Sequence, residues 1–180
     1  MHRLFVAIDL PQEVKESLIA LQGGLPGARW VGAEGLHLTL RFIGEVDSAE
    51  ADDIHAALAT VTGAPFMARL EGAGTFSGRG GPRVLWAGAV RDTALERLKR
   101  HIDSALRRAG CAPDGRKFAP HVTLARLKGA STERTAAFVA HIAPRITETF
   151  EVREFVLFSS RLAPDGAVHT AEAIYPLESR

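Results

Sequence analysis

Hydrophobic residues in the first half of the chain alternate between continuous runs and helical spacing. Residues 4–10 form an almost wholly apolar run that ends at Pro11, a pattern typical of a short buried strand. The next apolar positions recur at helical spacing until a pair of glycines, which indicates a helix over 13–21. The same reasoning predicts, in order, a strand over 36–43, a helix capped by Asp47 or Ser48, and a strand over 66–70.

The second half of the chain repeats this order of elements. The glycine-rich segment 72–81 predicts a long turn between the halves. After it, the pattern predicts a strand over 84–90, a helix over 93–109, a strand over 121–127, a helix over 131–141, a strand over 150–160 and a last strand over 167–175. Both halves therefore have the order β-α-β-α-β, and they extend approximately over 1–78 and 82–180.

Matched positions in the two halves indicate a duplication. His37 and His121 are 84 positions apart, and Phe66 and Phe150 are separated by the same number. Two copies of one unit usually face each other about a pseudo-twofold axis, because each copy has a face that it cannot bury alone. We therefore predict an α+β fold of two lobes related by such an axis, within a single domain over residues 1–180.

The composition limits the classes of protein to which the chain can belong. Its 180 residues, 46% of them hydrophobic, are enough to bury a core, and a net charge of +1 excludes the broad basic surface of a non-specific nucleic-acid binder. The single cysteine, Cys111, excludes an internal disulfide. No run approaches the roughly 20 apolar residues of a membrane-spanning helix, and no cleavable signal is visible at the start. We expect a cytoplasmic monomer with no membrane partner.

The main chemical signal is a tetrapeptide that occurs once in each half. It is His37-Leu-Thr-Leu40 in the first half and His121-Val-Thr-Leu124 in the second, and both copies lie in predicted strands. Side chains alternate between the two faces of a strand, so each copy places one imidazole and one hydroxyl on a common face. A single His-x-Thr in a strand is common and has little meaning, so the prediction depends on the matched pair.

Two facing imidazoles suit the cleavage of a phosphodiester. The reaction needs a base for the attacking oxygen and an acid for the leaving oxygen, and histidine, with an ordinary pKa of about 6.5, can do either at neutral pH. The hydroxyls of Thr39 and Thr123 can donate hydrogen bonds to phosphate oxygens. The pair His37 and His121 therefore predicts in-line phosphoryl transfer that needs no metal and no cofactor.

The two copies differ at the position five residues after each histidine. Phe42 stands there in the first copy and Arg126 in the second. A phenylalanine can stack on a nucleobase and an arginine can bind phosphate oxygens through its two-pronged guanidinium. The odd spacing puts both residues on the strand face opposite the histidines unless a β-bulge intervenes. The alternative interpretation makes Phe42 a core residue and Arg126 a surface charge.

With these motifs and their flanks, the chain resembles the two-histidine (2H) phosphoesterases, and among them the RNA 2′,3′-cyclic phosphodiesterases, also described as 2′-5′ RNA ligases. The matching segments are RLFVAIDLP at the start, RWVGAEGLHLTLRFIGE and KFAPHVTLAR around the motifs, RVLWAG at the start of the second half, and FVLFSSRLAPDGAVHTAEAIYPL at the end. The resemblance implies a bilobal α+β fold with antiparallel sheets lining a central cleft and helices outside. It also implies metal-free hydrolysis of an RNA 2′,3′-cyclic phosphate end to a 2′-phosphomonoester.

The resemblance further implies a role for each site residue. His37 would protonate the leaving 3′-oxygen, and His121 would activate the attacking water. The residues that would hold the phosphate or contact the base or ribose are Thr39, Thr123, Arg126 and Phe42. Spacing alone does not distinguish the acid from the base.

The end of the chain departs from the pattern of these relatives. They often have an aromatic residue a few positions after the counterpart of Gly166, where this chain has Ala167-Val168-His169. His169 either faces the cleft or is an ordinary residue of the last strand. No pair of histidines has the i, i+4 spacing of a zinc site with a nearby carboxylate, so no dedicated metal site is expected.

Two other functions fit the same residues. A non-catalytic module for RNA ends would keep the cleft and bind ligand without turnover. An enzyme with the same chemistry could instead act on a small nucleotide that contains a cyclic phosphate, and the near-neutral charge allows this. Because phosphoryl transfer is reversible, the hydrolytic site could also join a cyclic phosphate end to a 5′-hydroxyl end.

Overall fold

The structure, a computed structural model, describes residues 2–163 and 166–178. The strands of the described chain are β1 (His2–Asp9), β2 (Ala28–Trp30), β3 (His37–Val46), β4 (Phe66–Gly78), β5 (Gly81–Ala89), β6 (His121–Leu127), β7 (Thr147–Val152), β8 (Glu154–Ala163) and β9 (Gly166–Pro176). The α-helices are α1 (Gln12–Ile19), α2 (Ser48–Leu58), α3 (Thr93–Arg108) and α4 (Thr132–Ile142), and short 3₁₀ turns are η1 (Ala33–Gly35) and η2 (Ala143–Arg145). The predicted α+β class is confirmed.

The strands form one antiparallel sheet with the order β7-β4-β5-β6-β3-β1-β8-β9, and β2 pairs with β6. The two central strands, β3 and β6, are joined in the described chain by one pair of residues, Leu38 opposite Val122. The eight strands of this order therefore form two four-stranded halves that meet at this pair, and β2 is a ninth strand beside β6. The prediction of two antiparallel sheets corresponds to these halves, which are continuous with each other.

The two halves have matching registers. Thr39 lies opposite Ala7 of β1, and Thr123 lies opposite Trp86 of β5. Next to β1 stands β8, and next to β5 stands β4, so β4 and β8 occupy equivalent places. Each half combines strands from both halves of the sequence: β1 and β3 with β8 and β9 in one, and β4 with β5, β6 and β7 in the other, as expected for an interleaved duplication. That residues 1–180 form a single domain stays a prediction.

The predicted correspondence of Phe66 with Phe150 is wrong. Phe150 belongs to β7, which pairs directly with β4 and places Ala68 opposite Phe150. The predicted strand over 150–160 is two strands separated at Arg153, because β7 pairs with β4 while β8 pairs with β1. The shared offset of 84 therefore relates neighbouring strands rather than equivalent ones.

The glycine-rich segment 72–81 is mostly strand, contrary to the predicted long turn. β4 continues to Gly78 and β5 begins at Gly81, and paired backbones hold the glycines in register up to that end. One of these glycines is required by packing: a Cβ at Gly74 would lie 2.4 Å from the indole ring of Trp86. Glycine here reflects a bulky neighbour across the strand pair rather than a turn.

The helices cover one face of the sheet and leave the other open. Leu38 and Leu40 of β3 pack in the same core cluster as Ile54 of α2 and Ile102 of α3. A second, smaller cluster lies on the opposite face and consists of Phe5, Ala7, Val156 and Phe158. Side chains of β3 and β6 that point away from the helices therefore line the open face of the curved sheet.

Candidate active site

The pair formed by Leu38 and Val122 brings the two tetrapeptides together. Both side chains are fully buried on the face of the sheet that the helices cover. In an antiparallel pair the flanking residues also lie side by side, so His37 neighbours Thr123, and Thr39 neighbours His121. All four polar residues are only partly buried and project from the face opposite Leu38 and Val122. The structure thus assembles two imidazoles and two hydroxyls on one open surface.

A β-bulge follows the motif in both copies. Arg41 lies opposite Val6 and Thr39 opposite Ala7, which leaves Leu40 as the extra residue. The equivalent extra residue in β6 is Leu124, because the register shifts between the pairs of Ala125 and Thr123. Each bulge adds one residue to its strand. The side chains that follow it therefore point to the face opposite the one that simple alternation predicts.

The bulges place Phe42 and Arg126 on the histidine face. Phe42 is 52% exposed, and its ring lies 6.0 Å from that of Phe5, which is 4.9 Å from the ring of His37. Arg126 is also exposed, and its charge lowers the pKa of His121. The alternative interpretation of Phe42 as a core residue is wrong, because the bulge gives the core position to Arg41 instead.

Aromatic rings surround His37. Its ring centroid lies 4.9 Å from Phe5, 5.8 Å from Phe158 and 5.2 Å from His169. Burial lowers the pKa of His37 to about 3, and the positive charges of His169, Lys15 and His121 add to the effect. Its Nδ1 is buried and has no hydrogen-bond partner among the described residues. This imidazole is therefore neutral at neutral pH.

His121 is held differently. Its Nδ1 lies 2.7 Å from the carbonyl oxygen of Ala119, and since a carbonyl only accepts, Nδ1 donates its proton there. Nε2 then has a free lone pair. Burial lowers the pKa of His121, the hydrogen bond to Ala119 opposes this, and the charge of Arg126 lowers the pKa further. The ring of Phe76 meets that of His121 edge to face at 4.8 Å.

A second arginine, which sequence patterns did not single out, stands beside Arg126. Arg29 of β2 lies directly opposite Arg126, while its neighbour Trp30 packs toward the helices, so Arg29 faces the open side. Neither guanidinium makes an ion pair within the described chain. Two unpaired cations opposite each other disfavour the sheet and favour a bound anion. The strand β2 has only three residues, so no hydrophobic periodicity in the sequence predicts it or the position of Arg29.

His169 also belongs to this surface. It lies opposite Ser160 in the β8–β9 pair, and its ring contacts His37 and Phe5. In the sequence, the signal for His169 was the departure from the relatives' pattern at Ala167-Val168-His169. Within 2–163 and 166–178, no group of three or more His, Cys, Asp or Glu side chains could hold a metal ion, and no helix is long and apolar enough to span a membrane.

Comparison with known proteins agrees with this geometry. The LigT like phosphoesterase family matches two consecutive segments, 8–86 and 89–169, each of which contains one tetrapeptide. The chain belongs to the LigT like phosphoesterases. The predicted resemblance to two-histidine phosphoesterases is thereby confirmed.

The relatives of this LigT like phosphoesterase cover almost its whole length. An RNA 2′,3′-cyclic phosphodiesterase of Archaeoglobus fulgidus is 34% identical over 93% of this chain and 96% of its own. One of Escherichia coli is 37% identical over 89% of this chain and 88% of its own. The crystal structure of E. coli LigT complexed with 3′-AMP superposes with a TM-score of 0.83 at 32% identity, covering 99% of both chains.

The open face of this LigT like phosphoesterase has the groups that acid–base chemistry at phosphorus requires. His121 presents a lone pair at Nε2, and His37 presents a second imidazole across the central strand pair. Hydroxyls of Thr39 and Thr123 lie between them, and Arg126 adds a positive charge at one end. An anion bound among these groups would be contacted from both halves of the sheet.

Proposed function

We propose that the chain hydrolyses RNA 2′,3′-cyclic phosphate ends to 2′-phosphomonoesters, with His37 and His121 as general acid and general base. The observation on which this rests is the pairing of Leu38 with Val122, which puts both His-x-Thr sequences on one open face. The relatives named RNA 2′,3′-cyclic phosphodiesterase, at 34% and 37% identity, support the substrate. The monomeric state and cytoplasmic location remain predictions from the sequence.

In the proposed reaction, Nε2 of His121 takes a proton from water as the water oxygen attacks phosphorus. The bond from phosphorus to the 3′-oxygen breaks, and His37 donates its proton to that oxygen. Thr39, Thr123 and Arg126 bind the non-bridging oxygens, on which negative charge accumulates. Phe42 packs against the base or ribose. With a 5′-hydroxyl in place of water as the attacking group, the same displacement of the 3′-oxygen forms a 2′-5′ linkage.

The environments of the two imidazoles support this assignment of roles. The carbonyl of Ala119 holds the proton of His121 on Nδ1, which leaves Nε2 ready to accept another. His37 needs a proton before it can act as the acid, and its burial opposes that proton. The negative charge of a bound cyclic phosphate raises the pKa of a neighbouring imidazole, so substrate binding favours the active protonation state.

The arginine pair supports an RNA end over a free mononucleotide. An RNA end has a second phosphate on the 5′ side of its last nucleoside, and a mononucleotide with a cyclic phosphate lacks it. Arg29 and Arg126 stand opposite each other on the open face and have no acidic partner in the described chain. We assign the binding of that second phosphate to Arg29, with Arg126 shared between the two phosphates.

Hydrolysis of an oligoribonucleotide ending in a 2′,3′-cyclic phosphate tests the function. His37→Gln and His121→Gln should each lower kcat about 1,000-fold, since general acid and base catalysis contribute roughly 100- to 10,000-fold each. EDTA should leave the wild-type rate unchanged. Binding without turnover by the wild-type protein would contradict the proposal and favour the non-catalytic module. Equal kcat/KM for the RNA and for the free cyclic mononucleotide, in wild type and Arg29→Gln alike, would contradict the second-phosphate contact.

A further inference from the structure

A third imidazole stands at the edge of His37. The ring of His169 meets that of His37 at 5.2 Å and 85°, and it meets Phe5 at 5.1 Å and 81°. His169 comes from β9, on the outer side of β8, and lies opposite Ser160. Both His37 and His169 have a buried Nδ1 with no hydrogen-bond partner in the part of the chain that the structure describes. Nδ1 of both adjacent imidazoles is thus free of hydrogen bonds to the described residues.

The proposed reaction leaves a proton imbalance in the site. After one turnover His121 has gained a proton from water, and His37 has given one to the 3′-oxygen. His121 can release its proton to solvent from Nε2. His37 must regain a proton on its open side, while Phe5 and Phe158 pack against its ring. Among the rings around His37, that of His169 is the one that can supply this proton.

We propose that His169 takes a proton from solvent and passes it to His37 between turnovers. It acts through His37 and does not touch the substrate. His169 is the less deeply buried of the two rings and stands on the edge strand of the sheet. The new proton goes to the nitrogen of His37 that gave the last one, because the other nitrogen of the neutral ring keeps its hydrogen. One water molecule between this nitrogen and the His169 ring, or a rotation of the His169 ring, completes the path. Only a proton moves: the His169 cation becomes neutral as the His37 cation forms. This inference rests on the proposed function, since it assigns a source for the acid's proton.

The charged groups near this pair are few. Lys15 of α1 lies near His37 and is paired with Asp9, 2.7 Å away, so it repels a proton on His37 without supplying one. Arg161 of β8 lies opposite Val168 and therefore on the other face from His169. On the face of His169, the charged groups of neighbouring elements are Glu34 of η1 and Arg29 of β2, whose guanidinium approaches Gly166. Neither is in hydrogen-bond contact with His169 in the described chain. His169 is thus the titratable group in ring contact with His37.

The alternative role of His169 is packing alone, and two substitutions separate the roles. His169→Phe keeps an aromatic ring against His37 and Phe5 but has no nitrogen. His141→Gln, on the exposed surface of α4, is the matched control that removes an unrelated histidine. The melting temperature of each variant establishes that the fold is kept.

The first measurement is the pH dependence of kcat on the RNA cyclic phosphate end. We expect His169→Phe to lower kcat about tenfold or more above neutral pH and to leave KM within about threefold. Added imidazole should restore much of the rate. His141→Gln should match the wild type. A wild-type profile for His169→Phe, with no effect of imidazole, would overturn the inference and leave packing as the role.

The second measurement needs no turnover, so it separates this inference from the proposed function. NMR of the histidine side chains, with inorganic phosphate bound, reports how fast the ring proton of His37 exchanges with water. Exchange should slow about tenfold or more in His169→Phe relative to wild type and His141→Gln. Equal exchange rates in all three proteins would overturn the inference whether or not the protein hydrolyses RNA.

Discussion

Aromatic rings enclose the half of the open face around His37, whereas the half around His121 ends in guanidinium groups. The backbones are alike: each motif strand has the same bulge after its second leucine position, and each histidine has a phenylalanine at an equivalent place, Phe158 or Phe76. The side chains at other equivalent positions differ. A duplicated backbone therefore fixes where the two imidazoles stand, and the substitutions around them make their protonation different.

The same comparison shows how volume is exchanged between equivalent sites. Ala7 in one half corresponds to Trp86 in the other, and their cross-strand neighbours are Val156 and Gly74. The large Trp86 side chain stands beside Gly74, and the small Ala7 side chain stands beside the larger Val156, as close packing requires. Trp86 and Phe76 then form the wall next to His121, with ring centroids 5.5 Å apart.

The largest expected effect separates the acid half from the base half. A nucleoside phosphodiester with a p-nitrophenol leaving group needs no proton on that group, so it bypasses the acid. His37→Gln should lose about 1,000-fold on the RNA cyclic phosphate but no more than about tenfold on the p-nitrophenyl diester, whereas His121→Gln should lose about 1,000-fold on both. Steady-state kinetics on the two substrates measures this. Equal losses for both variants on the activated diester would contradict the assignment of roles.

The equivalent phenylalanines should differ in their effect on stability. Phe158 is only 8% exposed and packs in the small aromatic cluster, so Phe158→Ala should lower the free energy of unfolding by about 3 kcal/mol. Phe76 is 38% exposed, and Phe76→Ala should cost about 1 kcal/mol. Its main effect should instead be a kcat about tenfold lower, because His121 loses its edge contact. Urea unfolding and kinetics together check both. Similar stability losses in the two variants would show that the halves are packed alike.

Acid should destabilise the fold mainly through the His37 half. The folded pKa of His37 is about 3, below its ordinary value of 6.5, so the unfolded chain binds the proton more readily. The neutral His37 ring contributes its full stability above about pH 6.5. Below that, the free energy of unfolding falls by roughly 1 kcal/mol per pH unit as the pH decreases toward 3. His37→Gln should flatten this dependence more than His121→Gln does. Denaturant unfolding between pH 4 and 7 measures it, and an unchanged slope in His37→Gln would refute the buried neutral imidazole.

The smallest expected effect concerns the exchange of volume. Gly74→Ala puts a Cβ within 2.4 Å of the Trp86 ring and should cost about 1 to 3 kcal/mol, with a shift in tryptophan fluorescence. Gly63→Ala is the matched control, because a Cβ there meets nothing within 4 Å. It should leave the free energy of unfolding within about 1 kcal/mol of the wild type. If Gly74→Ala behaved like Gly63→Ala, Trp86 would be free to move and the wall beside His121 would not be tightly packed.

Much of the fold was predictable because local periodicity is strong. The helix over 93–109 and the strand over 121–127 correspond closely to α3 and β6, and the α+β class follows from their order. The cap of α2 is Asp47, in a capping box with Glu50. Errors arose where the pairing of strands decides the structure: the glycine-rich segment is strand because β5 turns back and pairs alongside it. At these glycines, cross-strand hydrogen bonds and packing against the ring of Trp86 outweigh the preference of glycine for turns.

The order of residues alone specifies two His-x-Thr strands whose imidazoles and hydroxyls share a face, because alternation is a property of a single strand. It does not specify the faces of Phe42 and Arg126, which depend on bulges opposite β1 and β5. Nor does it bring Arg29 or His169 to the site, since β2 and β9 reach it through pairing with other strands. Register is a relation between distant segments, and only the folded sheet establishes it.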